Sequence, residues 1–247
     1  MSFRSGTLAP MNPQPPFPAC CSPLQDHWPL PRALPGVQLL STRFDPGLLD
    51  IEDFRRWGIP APDAVSKRQT EFLAGRLCAH EALRRATGVP GVPAVGEDRA
   101  PCWPIGVVGS ITHGAGWAAA VAARSEYWRG LGLDVERQLP SARADRLVGE
   151  ILTPREQDGY AALDDTQRAL LVTLTFSIKE SLFKALYPLV NKRFYFQDAE
   201  LIQHDSSGYT RLRLLSDLSQ EWKRGTELEG QFVQFEGYLL SLVSIPR

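Results

Sequence analysis

The pattern of apolar positions in the first half of the chain predicts one long helix and several short strands. Over residues 67–87 the apolar side chains recur at three- and four-residue steps, which is the period of a helix face, and Gly88 is well placed to end the helix. Residues 37–44 precede it as a predicted strand. Further strand-like runs follow it over residues 106–112, 117–123 and 130–136.

The second half repeats this combination with a longer helix. Residues 166–187 carry an apolar stripe at helical spacing, and Pro188 is expected to end that helix. A shorter helix is predicted over residues 143–151, and the strand-rich tail contains a hairpin turn at Glu236-Gly237. Because each half supplies helices and antiparallel strands, the chain is predicted to be an α+β protein with two lobes of similar size.

Nine prolines among the first 35 residues set that segment apart from the rest. Proline fixes φ and lacks an amide donor, so the segment is predicted to be an extended arm, anchored at its end by Trp28 and Leu30. We therefore divide the chain into a proline-rich arm (residues 1–35), an N-terminal lobe (36–128) and a C-terminal lobe (129–247).

Composition indicates an ordinary globular protein, since 43% of its 247 residues are hydrophobic and the formal net charge is −1. A near-neutral chain is poorly suited to neutralising many phosphates, so we expect no nucleic-acid partner. No apolar run reaches the ~20 residues that span a bilayer, and the N-terminus lacks the apolar core of a secretory signal. The four cysteines show no paired C-x-x-C spacing that would indicate zinc. We expect a cytoplasmic protein with no membrane association.

The segment Gly132-Leu133-Asp134-Val135-Glu136 places two acids two residues apart in a predicted strand. Alternate side chains of a strand share a face, so Asp134 and Glu136 project together with Cα atoms ~6.5–7 Å apart. Leu133 and Val135 then point into a core. Carboxylate oxygens are suitable ligands for Mg²⁺. When such a pair of acids is considered in isolation, however, it more commonly consists of two solvated charges at the edge of a strand.

A second group of charges lies on the long helix. Glu180 and Lys184 are four residues apart and share a helix face. They could form a surface salt bridge worth only ~0.3–0.5 kcal/mol, and Lys179 could be a solvated charge beside them. The apolar neighbours Ile178 and Leu182 instead favour a position at the rim of the core. A third carboxylate near the strand pair would complete a metal site, and an adjacent lysine would neutralise phosphate charge.

His113 lies at the end of a predicted strand, within a run of small residues that permit a ligand to approach closely. Considered alone, it is more typical of a structural turn residue than of a ligand contact. Arg68, Arg76 and Arg99 are equally unspecific when each is considered alone, because exposed arginines are common. His80, inside the first helix, is assigned to structure.

Considered together and in order, these segments resemble the large, surfactin-synthetase-activating and enterobactin types of phosphopantetheinyl transferase. The agreement covers about residues 37–190 and excludes the proline-rich start. The matching segments are Lys67-Arg68, Phe72-Leu73-Ala74-Gly75-Arg76, Arg99-Ala100-Pro101, Trp103-Pro104, Gly109-Ser110-Ile111-Thr112-His113, Gly132-Leu133-Asp134-Val135-Glu136, Phe176-Ser177-Ile178-Lys179-Glu180-Ser181 and Lys184-Ala185.

The resemblance implies two pseudo-symmetric α+β lobes, each an antiparallel sheet packed with helices, with the active site at their interface. It implies transfer of the 4′-phosphopantetheine group from coenzyme A (CoA) to a carrier-protein serine, with release of 3′,5′-ADP. Asp134, Glu136 and Glu180 would bind Mg²⁺, and Glu180 would accept the serine proton. Lys184 would stabilise charge on the leaving pyrophosphate, and Asp134 would also lie against CoA.

The resemblance assigns the other candidates to CoA as well. Thr112 and His113 would contact its phosphates, and Arg68, Arg76 and Arg99 would meet the 3′-phosphate and adenine region. The implied partners are apo acyl carrier proteins and peptidyl carrier domains of fatty-acid, polyketide, nonribosomal-peptide or siderophore synthesis. A monomer is expected, because one chain supplies both lobes.

Two alternatives share parts of this pattern. Another Mg²⁺-dependent enzyme that cleaves a diphosphate in nucleotides would use the same carboxylates without a carrier protein. A non-catalytic module that binds CoA or a carrier protein would use Asp134 and Glu136 only structurally.

Overall fold

The computed structural model describes residues 15–96 and 99–247, and the first 14 residues of the predicted proline-rich arm lie outside this range. The first half contains β1 (Gln25–Asp26), β2 (Gln38–Arg43), α1 (Glu52–Arg56), α2 (Ser66–Thr87), β3 (Ala94–Val95), β4 (Pro101–Cys102), β5 (Val107–Gly114) and β6 (Trp117–Arg124). The second half contains β7 (Trp128–Arg137), α3 (Ser141–Ile151), α4 (Asp165–Val190), β8 (Ala199–His204), β9 (Tyr209–Leu214), β10 (Glu227–Phe235) and β11 (Tyr238–Pro246).

The strands form two antiparallel sheets, one from each half of the chain. The first has the order β1-β2-β6-β5 and the second the order β7-β11-β10-β9-β8, while β3 and β4 pair separately. The longest helix of each half, α2 or α4, packs on the sheet of its own half. This arrangement confirms the predicted α+β class. The proposed boundaries between arm and lobes stay a prediction.

The two sheets pack face to face, and each carries its long helix on the other side. Leu39 and Val121 of the first sheet meet Leu133 and Leu240 of the second in an apolar core. On the outer face of β6, small residues such as Ala120 allow α2 to approach closely. The predicted inward direction of Leu133 is therefore confirmed, and the alternate residues of β7 face α4.

Helix α4 begins at a capping box and ends beyond the proline. Asp164 and Gln167 bond each other's backbone amides at its start. The expectation that Pro188 ends the helix is wrong, because the helix continues to Val190 and stops where Asn191 adopts a left-handed conformation. Proline in a last turn removes a single amide, and its φ suits a helix. No helix in the described ranges is long and apolar enough to cross a bilayer.

Lys179 is buried, so the alternative that it is a solvated surface charge is wrong. Its Nζ lies 2.7 Å from Glu156 Oε2 and 2.9 Å from the carbonyl oxygens of both Ile151 and Phe196. Lys179 lies on the face of α4 that is covered by α3 and by the segment before β8. Lys179 thus fastens α4 to its surroundings, and it leaves the next residue, Glu180, at the rim.

The described part of the proline-rich segment is packed against the body. Leu30 and Leu34 are buried in the core between the sheets, and Cys20 and Cys21 are buried beside Phe54. Strand β1 pairs with β2. The anchoring predicted at Leu30 is confirmed.

Candidate active site

The two sheets meet along their edge strands, β5 and β7, through side-chain hydroxyls. Ser110 Oγ accepts a hydrogen bond from the Leu133 amide at 3.0 Å, and Thr112 Oγ1 accepts one from the Val135 amide at 3.0 Å. We call these two contacts the hydroxyl bridges. They satisfy amides of β7 that no neighbouring strand reaches, and they bring the end of β5 beside Asp134. The hydroxyl of Thr112 thus has a structural bond, and its predicted contact with CoA stays a prediction.

On its other side, β7 lies unusually close to α4. A side chain at Gly132 would place its Cβ only 1.8 Å from the Ser181 carbonyl oxygen. The hydroxyl of Ser241, on β11, lies 2.8 Å from those of both Ser177 and Ser181. Because both serines belong to α4, these contacts fix the position of that helix along β11 and its rotation about its own axis. They leave Glu180 facing the cleft, by which we mean the space lined by Asp134, Glu180 and Lys184.

Lys184 and Asp134 form the closest charged contact in the cleft. The Lys184 ammonium lies 2.7 Å from Asp134 Oδ1 and 3.0 Å from the Leu133 carbonyl oxygen. Asp134 is only 5% exposed, and its other oxygen, Oδ2, has no hydrogen-bond partner among the described residues. A buried carboxylate oxygen without a donor has lost its hydration, so it is a ready acceptor for a cation.

The other two acids share this environment. Burial, followed by repulsion from Asp134, raises the pKa of Glu136 to about 7. Burial also raises the pKa of Glu180, which Lys184 partly opposes. Carboxylates that repel each other in a poorly solvated site favour either protonation or a divalent cation.

The metal prediction stays a prediction, with chemical but not geometric support. Within residues 15–96 and 99–247, no group of three or more His, Cys, Asp or Glu side chains is arranged to hold a metal ion. The free oxygen of Asp134 and the raised pKa values of Glu136 and Glu180 nevertheless fit a divalent cation, and oxygen donors are those that Mg²⁺ prefers. The residues present therefore suit Mg²⁺ chemically, while ligation requires their side chains to rearrange.

Basic residues gather at the other end of the cleft. Arg68 Nη1 lies 2.7 Å from His113 Nε2, and both side chains meet Glu71. Burial and the nearby Arg68 lower the pKa of His113 to about 4, so the ring is neutral near pH 7 in the ligand-free protein.

Arg76 and Arg99 lie near this group. Arg76 is 4% exposed, its guanidinium lies 4.8 Å from the centre of the Phe72 ring, and its Nη1 has no partner in the described part of the chain. Burial lowers its pKa to about 10, which leaves it charged. Arg99 is exposed on a turn with φ of 69°. A buried guanidinium with an unused donor suits an anionic ligand.

Two cavities connect the acidic and basic groups. One of about 490 Å³ is lined by Asp134, Glu180 and Lys184. One of about 500 Å³ is lined by Arg76 and Glu71. They share the side chains of Arg68, Arg99 and His113 as a common wall. The cleft therefore brings together the predicted site residues except Glu136, which lies just behind Asp134 on the same strand.

Sequence reasoning missed two residues of this cleft. Glu71 follows Arg68 by one helical turn, so helical spacing could have identified it as a partner of that arginine. Ser110 precedes Thr112 by two residues on the same strand face, and strand periodicity would have paired the two hydroxyls.

Comparison with known proteins gives consistent results. Residues 60–123 match the model of the 4′-phosphopantetheinyl transferase N-terminal domain, and residues 130–243 match that of the 4′-phosphopantetheinyl transferase superfamily. The chain is 35% identical to 4′-phosphopantetheinyl transferase Svp of Streptomyces mobaraensis, over 74% of each chain. It is 38% identical to PptT of Mycobacterium tuberculosis, over 60% of this chain and 64% of that one. Enterobactin synthase component D of Salmonella typhi is 38% identical over 66% of this chain and 67% of its own length.

Proposed function

The chain belongs to the 4′-phosphopantetheinyl transferase superfamily, and from this membership we propose that it transfers phosphopantetheine from CoA to a serine of an apo carrier protein. The observation that carries the proposal is the cleft itself. It has two carboxylates and a lysine at one end, with Glu136 just behind them, and three arginines with a histidine at the other. CoA carries a pyrophosphate, which together with a divalent cation would suit the first end, and a separate 3′-phosphate, which would suit the arginines.

Glu180 is the proposed general base. A serine hydroxyl is a weak nucleophile and needs a base within hydrogen-bond reach. Burial raises the pKa of Glu180, which brings this carboxylate closer to neutral pH and makes it a better proton acceptor than an exposed glutamate. Its position at the cleft wall, fixed by the serine contacts of α4, gives the incoming serine access to it.

Lys184 is proposed to stabilise the leaving group. Its ammonium faces the cleft next to Asp134, where negative charge would develop on the departing 3′,5′-ADP. Asp134, Glu136 and Glu180 would hold Mg²⁺, which when bound would neutralise pyrophosphate charge. Lys184 would then exchange its contact with Asp134 for one with phosphate.

The basic residues are proposed to hold the far end of CoA. A phosphate monoester carries ~1.5–2 negative charges, and guanidinium groups bind such groups through paired, charge-assisted hydrogen bonds. Arg68, Arg76 and Arg99 would meet the 3′-phosphate and adenine region, and His113 and Thr112 would lie against phosphates. The unused donor of the buried Arg76 supports this assignment.

Acyl carrier proteins and peptidyl carrier domains are the proposed macromolecular substrates. We also propose that the protein acts as a monomer, since one chain supplies both walls of the cleft. A cytoplasmic location is proposed as well.

One incubation tests the reaction. Apo carrier protein, CoA and Mg²⁺ are mixed with the enzyme, and the carrier is examined by intact-protein mass spectrometry. We expect one added phosphopantetheinyl group, which a carrier with alanine in place of the acceptor serine does not receive. Release of nucleotide without carrier modification would instead indicate a diphosphate hydrolase, and binding without change of either substrate would indicate a non-catalytic module.

A further inference from the structure

We propose that Glu71 is a positioning residue that holds Arg68 and His113 together as one anion clamp and thereby sets the preference for CoA over dephospho-CoA, which lacks the 3′-phosphate. This inference rests on the proposed function and adds to it a residue that determines ligand specificity. Glu71 would touch neither the reacting atoms nor the phosphate. It would act through the two side chains that it holds.

A single oxygen of Glu71 contacts both members of the clamp. Oε2 lies 3.2 Å from Arg68 Nη1 and 3.7 Å from His113 Nδ1. A guanidinium cannot accept a hydrogen bond, so His113 Nε2 must be the acceptor from Arg68. The proton of the neutral ring is then on Nδ1, facing Glu71. Arg68 therefore donates to both Glu71 and His113, with fixed donor and acceptor roles, while His113 Nδ1 lies beside Glu71 Oε2 at 3.7 Å, beyond hydrogen-bond length.

The arrangement leaves binding capacity directed at the cleft. Arg68 has five N–H donors, and its contacts with Glu71 and His113 are both made through Nη1. The Glu71 side chain is only 13% exposed, whereas that of Arg68 is 55% exposed. The carboxylate is thus recessed behind the guanidinium. A phosphate can approach the remaining donors of Arg68 while Glu71 keeps holding the arginine from behind.

The location of the clamp matches this role. Arg68 and His113 line both cavities, while Glu71 lines only the one that also contains Arg76. Without Glu71, the long side chain of Arg68 would keep only its contact with His113, and more of its rotamer freedom would have to be lost on binding. Preorganisation of this kind raises affinity for the group that the clamp receives and leaves the remainder of the ligand unaffected.

A purely electrostatic role of Glu71 and a positioning role predict opposite effects of Glu71→Gln on ligand preference. A carboxylate near an anion site repels the anion, so charge alone predicts that Glu71→Gln tightens binding of CoA relative to dephospho-CoA. Positioning predicts that the variant weakens it. Glu71→Asp separates the two further, because it keeps the charge but is one methylene too short to keep the bond to Arg68.

The experiment measures dissociation constants for CoA and dephospho-CoA, with Mg²⁺ present, by calorimetry on the full chain. Wild type should prefer CoA. We expect both Glu71→Gln and Glu71→Asp to reduce that preference by about tenfold, as expected when a charge-assisted hydrogen bond is no longer held in place. The ratio is taken within one variant, so a loss of folded protein does not alter it, and kcat at saturating CoA should change little.

Glu81 provides a matched control on the same helix. Its side chain is 15% exposed, and it bonds Arg84 and Arg85 at 2.7 Å, yet it lines neither of the two cavities. Glu81→Gln and Glu81→Asp should leave the ligand preference unchanged. If the Glu71 variants also keep the wild-type preference, or increase it, the positioning role is wrong while the proposed function stands. If wild type binds neither ligand, the proposed function itself fails.

Discussion

The two ends of the cleft are opposite in charge and similar in design. At the acidic end, Lys184 bonds Asp134, and burial together with the charge of Asp134 raises the pKa values of the nearby Glu136 and Glu180. At the basic end, Arg68 bonds Glu71 and lines one cavity together with Arg76 and Arg99, while the histidine is neutral. Each end therefore contains an internal ion pair, between Lys184 and Asp134 at one end and between Arg68 and Glu71 at the other.

They differ in how firmly they are held. The acidic end is built on a strand and a helix that touch at Gly132 and are bonded through buried serines. The basic end includes Arg99 on an exposed turn and the partly exposed Arg68. We infer that the acidic end, which is the proposed reaction centre, is the more rigidly held, whereas the basic end depends on neighbouring side chains such as Glu71 for its order.

The largest expected effect comes from removing a charge at the rigid end. Glu180→Gln should lower kcat by roughly 10²–10⁴-fold, because the proposed base is lost together with a proposed metal ligand. The Mg²⁺ concentration needed for half-maximal rate should rise as well. Carrier modification followed by mass spectrometry at several Mg²⁺ concentrations measures both quantities.

Asp165→Asn is the control for that variant. Asp165 is an exposed acid in the first turn of the same helix. The Asp165→Asn enzyme should retain the rate and the Mg²⁺ requirement of wild type. A Glu180→Gln enzyme as active as the control would show that the acidic end is not the reaction centre.

A smaller effect should appear in the pH dependence of the acidic end. The pKa of Glu136 is raised to about 7 from an ordinary 4.5, so the folded protein binds this proton more tightly than the unfolded chain. Its stabilising contribution is present in acid and is lost as the pH rises through about 7. Metal-free Glu136→Gln should therefore melt a few degrees above wild type at about pH 8, and this advantage should disappear near the ordinary pKa.

With Mg²⁺ present at about pH 8, wild type should instead melt at a higher temperature than Glu136→Gln. A protonated carboxyl does not ligate a divalent ion, so the rise in melting temperature that Mg²⁺ gives wild type should grow as the pH increases through about 7. Glu136→Gln should show little of this increase. Thermal melts across the pH range, with and without Mg²⁺, measure both effects. Identical curves for the two proteins would contradict the proposal that Glu136 helps to bind Mg²⁺.

The smallest effect tests the junction between the two ends. Thr112→Val should reduce the free energy of unfolding by about 1–3 kcal/mol, because it leaves the buried Val135 amide without its acceptor. Thr112→Ser should restore most of it. Denaturant unfolding measures the loss. If instead the free energy of unfolding is unchanged and the affinity for CoA falls, the main role of Thr112 is to contact the ligand and not to join the two strands.

Sequence patterns predicted features that depend on neighbouring residues. The end of α2 follows from Gly88, whose φ of 81° suits glycine, and the hairpin follows from Glu236-Gly237, both with positive φ. The alternation along β7 placed Asp134 opposite to Leu133 because strand geometry is fixed over two residues.

Features that depend on distant pairing were not predictable in this way. The contact between Arg68 and His113 spans 45 residues, and that between Thr112 and Val135 spans 23. The burial of Lys179 depends on which element covers that face of α4, and nothing in its own segment specifies α3. Roles that are set by tertiary packing therefore require the structure, even where the residues themselves stand out in the sequence.

The hydroxyl bridges have a mechanical consequence. Strands β5 and β7 belong to separate sheets, so their junction depends on two rotatable side chains instead of a continuous ladder of backbone bonds. A small tilt that widened the cleft would strain these two contacts and also the apolar core between the sheets, which contains Leu39, Val121, Leu133 and Leu240. The hydroxyl bridges therefore set the alignment of β5 against β7, while the apolar core resists separation of the two sheets.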